Sequence, residues 1–320
     1  RGLRSVDDPT DTTPAEWVHW RNEAWETIGL SRVRGTVFLQ LPATPLAASA
    51  ALGVEGIEIV DSAETAEYVL TGRLQASGVE YAWVRPDVTV DDAERAPMPV
   101  RSAWRRVANE EDMLVLRGAL TRLVRVHGWQ QLESPAGNGS HYRIALRDMR
   151  NGKVVERGPL VGKQQYGLVL RRRETLPASS LRSRYMYVFT IDSFGKSVLL
   201  FPRPERGSVE NRLPLTEVPA EPIAHPPNEI PLGEGPSFVV APPYGADSYF
   251  LLTTDSPLSC TSCLEWDGVR AGSMSKKTPL DVVLSNASGR RDDESPRTSP
   301  YWSIDKVVFM SVPPPTKSSP

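Results

Sequence analysis

Apolar positions recur at helical spacing early in the chain, where Trp17, Trp20, Ala24, Trp25 and Ile28 fall on one face. Thr13-Pro14-Ala15-Glu16 before them has capping-box spacing with proline at the first helical position, and Gly29 closes the run. The pattern predicts a helix docked on a core by three tryptophans. Strands are predicted over residues 36–41 and 57–60, with a short Ala-rich helix over 45–52 between them. A hairpin of 68–74 with 79–84 follows, turning about Ser77-Gly78. Residues 86–108 read as a polar, proline-bearing loop. The strongest helix opens at Asn109, with Glu110, Glu111 and Asp112 in its first turn. Met113, Leu116, Leu120, Leu123 and Val124 repeat along it, and Arg122 and Arg125 lie toward its end at Gly128, an arrangement the helix dipole favours.

From His141 onward the pattern changes to short alternating runs broken by turn residues. Residues 142–148 and 154–157 flank Asn151-Gly152, and residues 185–192 and 197–201 flank Ser193-Phe194-Gly195, which predicts two hairpins. Further strands are expected over 167–171, 237–240, 248–254 and 304–312, with one helix opened by Thr278-Pro279 and ended by Gly289. Residues 218–231 and 235–247 read as loops. The fold class is therefore α+β: an N-terminal α+β domain over 1–134, a linker over 135–141, an all-β sandwich over 142–312, and a disordered tail over 313–320.

The 320 residues include 29 prolines and 23 glycines, which suits many short strands and loops. No apolar run approaches the roughly 20 residues of a membrane helix, so no membrane partner is expected. The net charge of −2 is unevenly spread. Residues 1–100 carry 8 basic and 16 acidic side chains, residues 101–184 carry 17 and 7, and residues 185–320 carry 12 and 16. A basic middle admits an acidic partner, but solvated arginines pairing with the acidic flanks are the preferred reading. The chain opens with Arg1-Gly2-Leu3-Arg4 and without an initiator methionine, so a piece of a longer polypeptide, or a processed product, is expected.

Cys260 and Cys263 have C-x-x-C spacing, but no second Cys or His pair completes a zinc site, so no metal is expected. Two cysteines give no disulfide framework and fit a reducing cytoplasm. His19, His127, His141 and His225 lack a nucleophile in a recognisable context. His127-Gly128 matches a caspase-like His-Gly pair in letters but ends a helix instead of following a core strand. Gly158-Pro159-Leu160-Val161-Gly162-Lys163 is one residue short of a phosphate loop, and Gln164 stands where Ser or Thr is needed. No cofactor is expected. The run Arg171-Arg172-Arg173 is a candidate basic patch, with Tyr166 the one nearby aromatic for stacking, so nucleic-acid binding is disfavoured.

Tyr185-Met186-Tyr187-Val188-Phe189-Thr190-Ile191-Asp192, then Gly195, then Leu199-Leu200-Phe201-Pro202 resemble a domain of unknown function, DUF4384, of bacterial multidomain proteins. Asn211-Arg212-Leu213-Pro214, Ile230-Pro231-Leu232, Ala241-Pro242-Pro243-Tyr244-Gly245 and Tyr249-Phe250-Leu251-Leu252-Thr253 follow in that domain's order, so the likeness spans about 142–312. Residues 64–74, 80–86 and 99–104 look like the region joining such a domain to an upstream caspase-like peptidase of the C14 family. The chain departs from that pattern by lacking the peptidase domain, so no catalytic residue is carried over.

The resemblance implies a non-catalytic C-terminal regulatory or protein-recognition region of a bacterial caspase-like cysteine protease. Its expected partners are the peptidase domain, in cis or in trans, and a protein substrate or regulator. Loop residues Pro242, Pro243, Tyr244, Gly245 and Asp247 are the candidate binding residues, with exposed strand edges as further candidates. The alternative expectation is a product or target of proteolysis acting as an independent binding module. Enzymatic activity of the chain itself ranks last.

Overall fold

The first sheet is built around parallel strands. Strand β1 (Gly35–Leu39) pairs in parallel with β2 (Ile57–Ile59) on one side and β3 (Tyr68–Gln75) on the other. β3 turns tightly into antiparallel β4 (Gly78–Val84), and β5 (Arg105–Arg106) closes the order β2-β1-β3-β4-β5. The computed structural model describes residues 35–40, 43–54, 56–86, 88–89, 97–135, 139–173, 181–203, 210–215, 223, 225–232, 237–242, 244–258, 261–266 and 302–315. The predicted helix with Trp17, Trp20 and Trp25 and the one opened by Thr278 lie outside these residues. So do Cys260 and the tail beyond residue 315.

Two helices cover the sheet. Helix α1 (Pro45–Ala48) starts where Thr44 accepts the Ala47 N–H at 3.2 Å and Pro45 fills the first turn, whose amide needs no partner. Helix α2 (Glu110–Gln131) is capped by Asn109, whose side chain accepts the Asp112 N–H at 2.9 Å, with three acids in the first turn. Its expected end at Gly128 is overrun by one turn. Leu132 N–H closes on the Gly128 carbonyl at 3.0 Å, and buried Trp129 and Leu132 hold the added turn in place. Tertiary burial outweighs the modest cost of a helical glycine, about 1 kcal/mol. Trp83 of β4 donates its indole N–H to Leu116 O at 3.0 Å, which fixes α2 on the sheet.

The second half holds two further sheets. β6 (Tyr142–Asp148) pairs with β7 (Val154–Val155) across Asn151-Gly152, where Gly152 takes φ 70°. β8 (Leu160–Val161) leads into β9 (Gln165–Arg172), which pairs antiparallel with β6. β10 (Arg184–Ile191) folds back on β11 (Ser197–Phe201) and also pairs with β12 (Arg212–Leu213). β13 (Glu229–Pro231) and β14 (Ser237–Val239) line the free edge of β9. β15 (Ala246–Thr254) and β16 (Trp302–Val312) complete a sheet of order β11-β10-β15-β16-β8. β14 matches the strand expected over 237–240, whereas β13 falls in the stretch 218–231 read as a loop. Three residues flanked by prolines carry too little alternation to register, and Pro231 is tolerated because an edge strand has an amide side without a partner.

The β10/β15 sheet is buried on both faces. Met186, Val188, Tyr249, Leu251 and Phe309 meet Tyr142, Ile144, Leu146, Leu168 and Leu170 of the β6/β9 sheet in one core. The opposite pleats carry Phe189 and Phe250, stacked at 4.9 Å and 8°, against Trp129 of α2. A strand buried twice reads as a continuous apolar run, which is why residues 249–252 show no alternation. The described residues belong to one compact unit, Arg34–Pro320. The class is β-rich α+β with sandwich-like layers. Across residues 135–141, Ser134 Oγ accepts the Ile304 N–H at 2.8 Å and Gln130 donates to Ser248 Oγ at 2.6 Å, so α2 is tied to both halves.

Candidate functional site at the end of the sandwich

Asp192 directly follows β10 and builds the turn there. Its Oδ1 accepts the N–H groups of Phe194 at 2.8 Å and Lys196 at 2.9 Å, while Gly195 takes φ 71° and donates to Asp192 O at 2.8 Å. The Ile191–Ser248 register, carried one residue on, sets Asp192 opposite Asp247 of β15. Both lie on the pleat that carries Val188 and Tyr249, so the two carboxyls cap one end of the sandwich core. Gly245 fits tightly there. A side chain at 245 would meet Ser193 Cβ and Oγ at 3.1 Å, and the Gly245 N–H donates to Ser311 Oγ at 2.9 Å while Gly245 O accepts the Ser311 N–H at 2.7 Å.

The electrostatics of this end are costly. Burial, and then the charge of Asp192, push the Asp247 carboxyl up to about 7, with Ser311 and the Ser193 N–H only partly offsetting them. Burial also raises Asp192, opposed by the Lys196 and Phe194 amides. Asp247 Oδ1 is buried without a hydrogen-bond partner. Two facing carboxyls that cannot both ionise cheaply hold a proton near neutral pH. Tyr249, next on the same pleat, is raised by burial and by Asp247.

Of the loop residues predicted from sequence, Tyr244, Gly245 and Asp247 converge here, and Asp247 belongs to β15 instead of the loop. Pro242 is exposed, and Pro243 lies outside the described residues. Tyr244 rests over Gly162, where a Cβ would stand 2.5 Å from the phenol oxygen and 2.8 Å from Pro314 Cδ. Lys163 follows at φ 65°, and its N–H reaches Val240 O at 2.8 Å.

Arg171, Arg172 and Arg173 meet different partners. Arg171 shares Glu156 with Arg143, at 2.6 and 2.9 Å, on the outer face of the β6/β9 sheet. Arg172 donates its backbone N–H to Asn228 O at 2.9 Å. Arg173 pairs with Asp305 of β16.

A second cluster lies between β1, β3 and α2. His127 Nδ1 is 3.1 Å from Glu67 Oε1 at a small cleft lined by Gly35, Thr36, Ile57 and Val124. Burial raises Glu67 to about 7 against the pull of the Thr36 hydrogen bond and Arg85, while burial and Arg85 lower His127. The pair favours a neutral carboxyl and a neutral imidazole. The Thr36 hydroxyl accepts the Glu67 N–H at 3.0 Å, and among the described residues no group of three or more His, Cys, Asp and Glu is placed to hold a metal ion.

Sequence reading missed Asp192, Ser311, Glu67 and Arg85. Asp192 had a local signal, an acid directly before a Ser-Phe-Gly turn, but its partner Asp247 stands 55 positions away in the numbering and only register unites them. Among the described residues, no helix is long and apolar enough to cross a membrane. Comparison of the chain with protein-family models, curated proteins and solved structures found no match.

Proposed function

We propose that the chain is a protein-recognition and regulatory region that works beside a caspase-like peptidase domain, in cis or in trans, with the Tyr244–Asp247 end of the sandwich as its contact surface. The observation that supports this reading best is the Asp192–Asp247 carboxyl pair, with its buried, unpartnered oxygen. A sandwich braced on one side by α2 keeps an uncompensated polar cost where loops meet solvent, and such costs are retained at functional sites. The partner this chemistry suits offers a hydrogen-bond donor or cation to Asp247 and an apolar group to Tyr244. The sequence resemblance supplies the peptidase.

The test isolates the native protein from its source cells and measures its mass twice, denatured and with complexes intact. The expected result is a chain that continues into a peptidase domain, or a complex with a separate peptidase-sized fragment. Asp247→Asn and Tyr244→Ala are expected to weaken capture of the peptidase's protein substrate at least fivefold. A free product of this length with no peptidase attached overturns the assignment.

A further inference from the structure

The outer edge of β11 is occupied by a short segment of the chain itself. Residues Thr261–Leu264 form a single 3-10 turn, after which Glu265 and Trp266 run along the strand. Ser197 N–H donates to Trp266 O at 2.9 Å and Ser197 O accepts the Trp266 N–H at 3.2 Å, a bridge one residue long. Side chains complete the contact. Ser197 Oγ donates to Leu264 O at 2.6 Å, Leu199 N–H reaches Glu265 Oε1 at 3.3 Å, and the Trp266 indole donates to Gly195 O at 2.8 Å. Leu264 is fully buried, Trp266 is 8% exposed, and the Arg125 guanidinium lies 5.6 Å from the Trp266 ring centroid.

We propose that the edge of β11 is a strand-addition site for an extended peptide carrying an apolar, an acidic and an aromatic residue in succession, and that Leu264-Glu265-Trp266 is its built-in occupant. The occupant defines the chemistry. A buried apolar slot takes the leucine, the Leu199 amide takes a carboxylate, and the Gly195 carbonyl with Arg125 takes an indole. The occupant also leaves room for a better ligand, because it spends only one residue on the backbone ladder and meets Leu199 with a side chain. A partner strand that pairs its own backbone with both Ser197 and Leu199 gains main-chain hydrogen bonds that the single-residue bridge does not make. The edge begins at the Asp192–Lys196 turn, so this inference rests on the recognition reading above and names its partner class.

The test uses the full chain, labelled with nitrogen-15, and a capped synthetic peptide of residues 261–266 carrying Cys263→Ser. In the Trp266→Ala chain the peptide is expected to shift the Ser197 and Leu199 amides and to bind at least tenfold more tightly than to the unsubstituted chain, where the occupant competes. Glu265 is exposed, so Glu265→Ala keeps the fold and is expected to raise peptide affinity about threefold. A peptide with alanine in place of its tryptophan is expected not to bind. Unmoved Ser197 and Leu199 amides in both variants, or equal binding of the alanine peptide, overturn the proposal. Peptide binding by a chain that has no peptidase partner in cells leaves the strand-addition site standing and removes the protease assignment. A peptidase complex with no peptide effect does the reverse.

Discussion

Trp129 of α2 meets Phe189 of β10 edge-on, with ring centroids 4.8 Å apart and planes at 67°. Phe250 lies behind, 6.2 Å from the same indole. One helix thus supplies core to the parallel-stranded sheet through Leu116, Leu120 and Leu123 and to the sandwich through Trp129. Trp129→Ala removes a side chain that is 1% exposed and is expected to cost about 3–5 kcal/mol. Because α2 is shared, hydrogen exchange is expected to lose protection in β3 and β10 together, in one cooperative transition. Loss confined to β10 would mean that the halves fold independently.

What the sequence made legible follows from how local each signal was. Helix α2 was readable from its cap, its acidic first turn and its apolar repeat, and the β10–β11 hairpin from its turn residues. Gln131 as the helix end was not readable, because Trp129 is held by Phe189 some 60 positions away. The same reason hid the candidate site. Asp247 and Gly245 were singled out from a loop pattern, yet their chemistry comes from Asp192, Ser193 and Ser311 across three strands. The arginine run was legible as charge, but the acids it pairs with, Glu156 for Arg171 and Asp305 for Arg173, are set by the fold and lie far off in the numbering.

Asp247 gives stability a pH dependence whose sign is fixed. Its carboxyl titrates near 3.8 in the unfolded chain and at about 7 in the folded one, so the folded state binds the extra proton between those values. Stability is then full below about 4 and falls as pH rises through 7. Asp247→Asn keeps the shape, removes the charge facing Asp192, and is expected to stabilise the chain at pH 8 by about 1–3 kcal/mol while flattening the profile. Urea midpoints from pH 5 to 9 measure both. A parallel fall in the Asp247→Asn chain would place the dependence elsewhere.

Glu67 and His127 pull in opposite directions. Glu67, raised from 4.5 to about 7, loses its contribution as pH rises through 7. His127, lowered from 6.5, stabilises the fold above that value and loses its contribution as pH falls through its folded-state pKa. The His127 imidazole is expected to take up its proton at lower pH than a free imidazole, which a titration of its ring nitrogen shifts will report. Glu67→Gln retains a donor for His127 and is expected to cost under about 1 kcal/mol, whereas Glu67→Ala is expected to cost about 1–3 kcal/mol by leaving the buried ring without its partner. A His127 midpoint at or above that of a free imidazole would contradict this reading.

Gly162 is where the Tyr244 loop is set. An added methyl meets the phenol oxygen at 2.5 Å and Pro314 Cδ at 2.8 Å, closer than van der Waals contact allows. Gly162→Ala is expected to cost about 1–3 kcal/mol and to displace Tyr244. Tyr244→Ala made alongside is expected to recover part of that cost, which a double-mutant cycle reads as a coupling of about 1 kcal/mol. Strict additivity would mean that Tyr244 does not rest on Gly162.

Arg171 and Arg173, two residues apart, are expected to respond differently to truncation. Arg173 reaches Asp305, whose side chain is 14% exposed and whose carboxyl is raised by burial against the pull of Arg173. Arg173→Ala leaves that carboxylate buried with less compensation. Since the arginine itself is 39% exposed, solvent screens part of the pair and a loss of about 1–3 kcal/mol is expected. Arg171 is 44% exposed and shares Glu156 with Arg143, so Arg171→Ala leaves the glutamate a partner and is expected to cost under about 1 kcal/mol. Lowering the pH until Asp305 protonates is expected to shrink the Arg173 penalty and leave the Arg171 value unchanged, a comparison that denaturant midpoints at pH 4 and 7 supply. Equal penalties at both positions would mean that Asp305 gives Arg173 no more than the more exposed Glu156 gives Arg171.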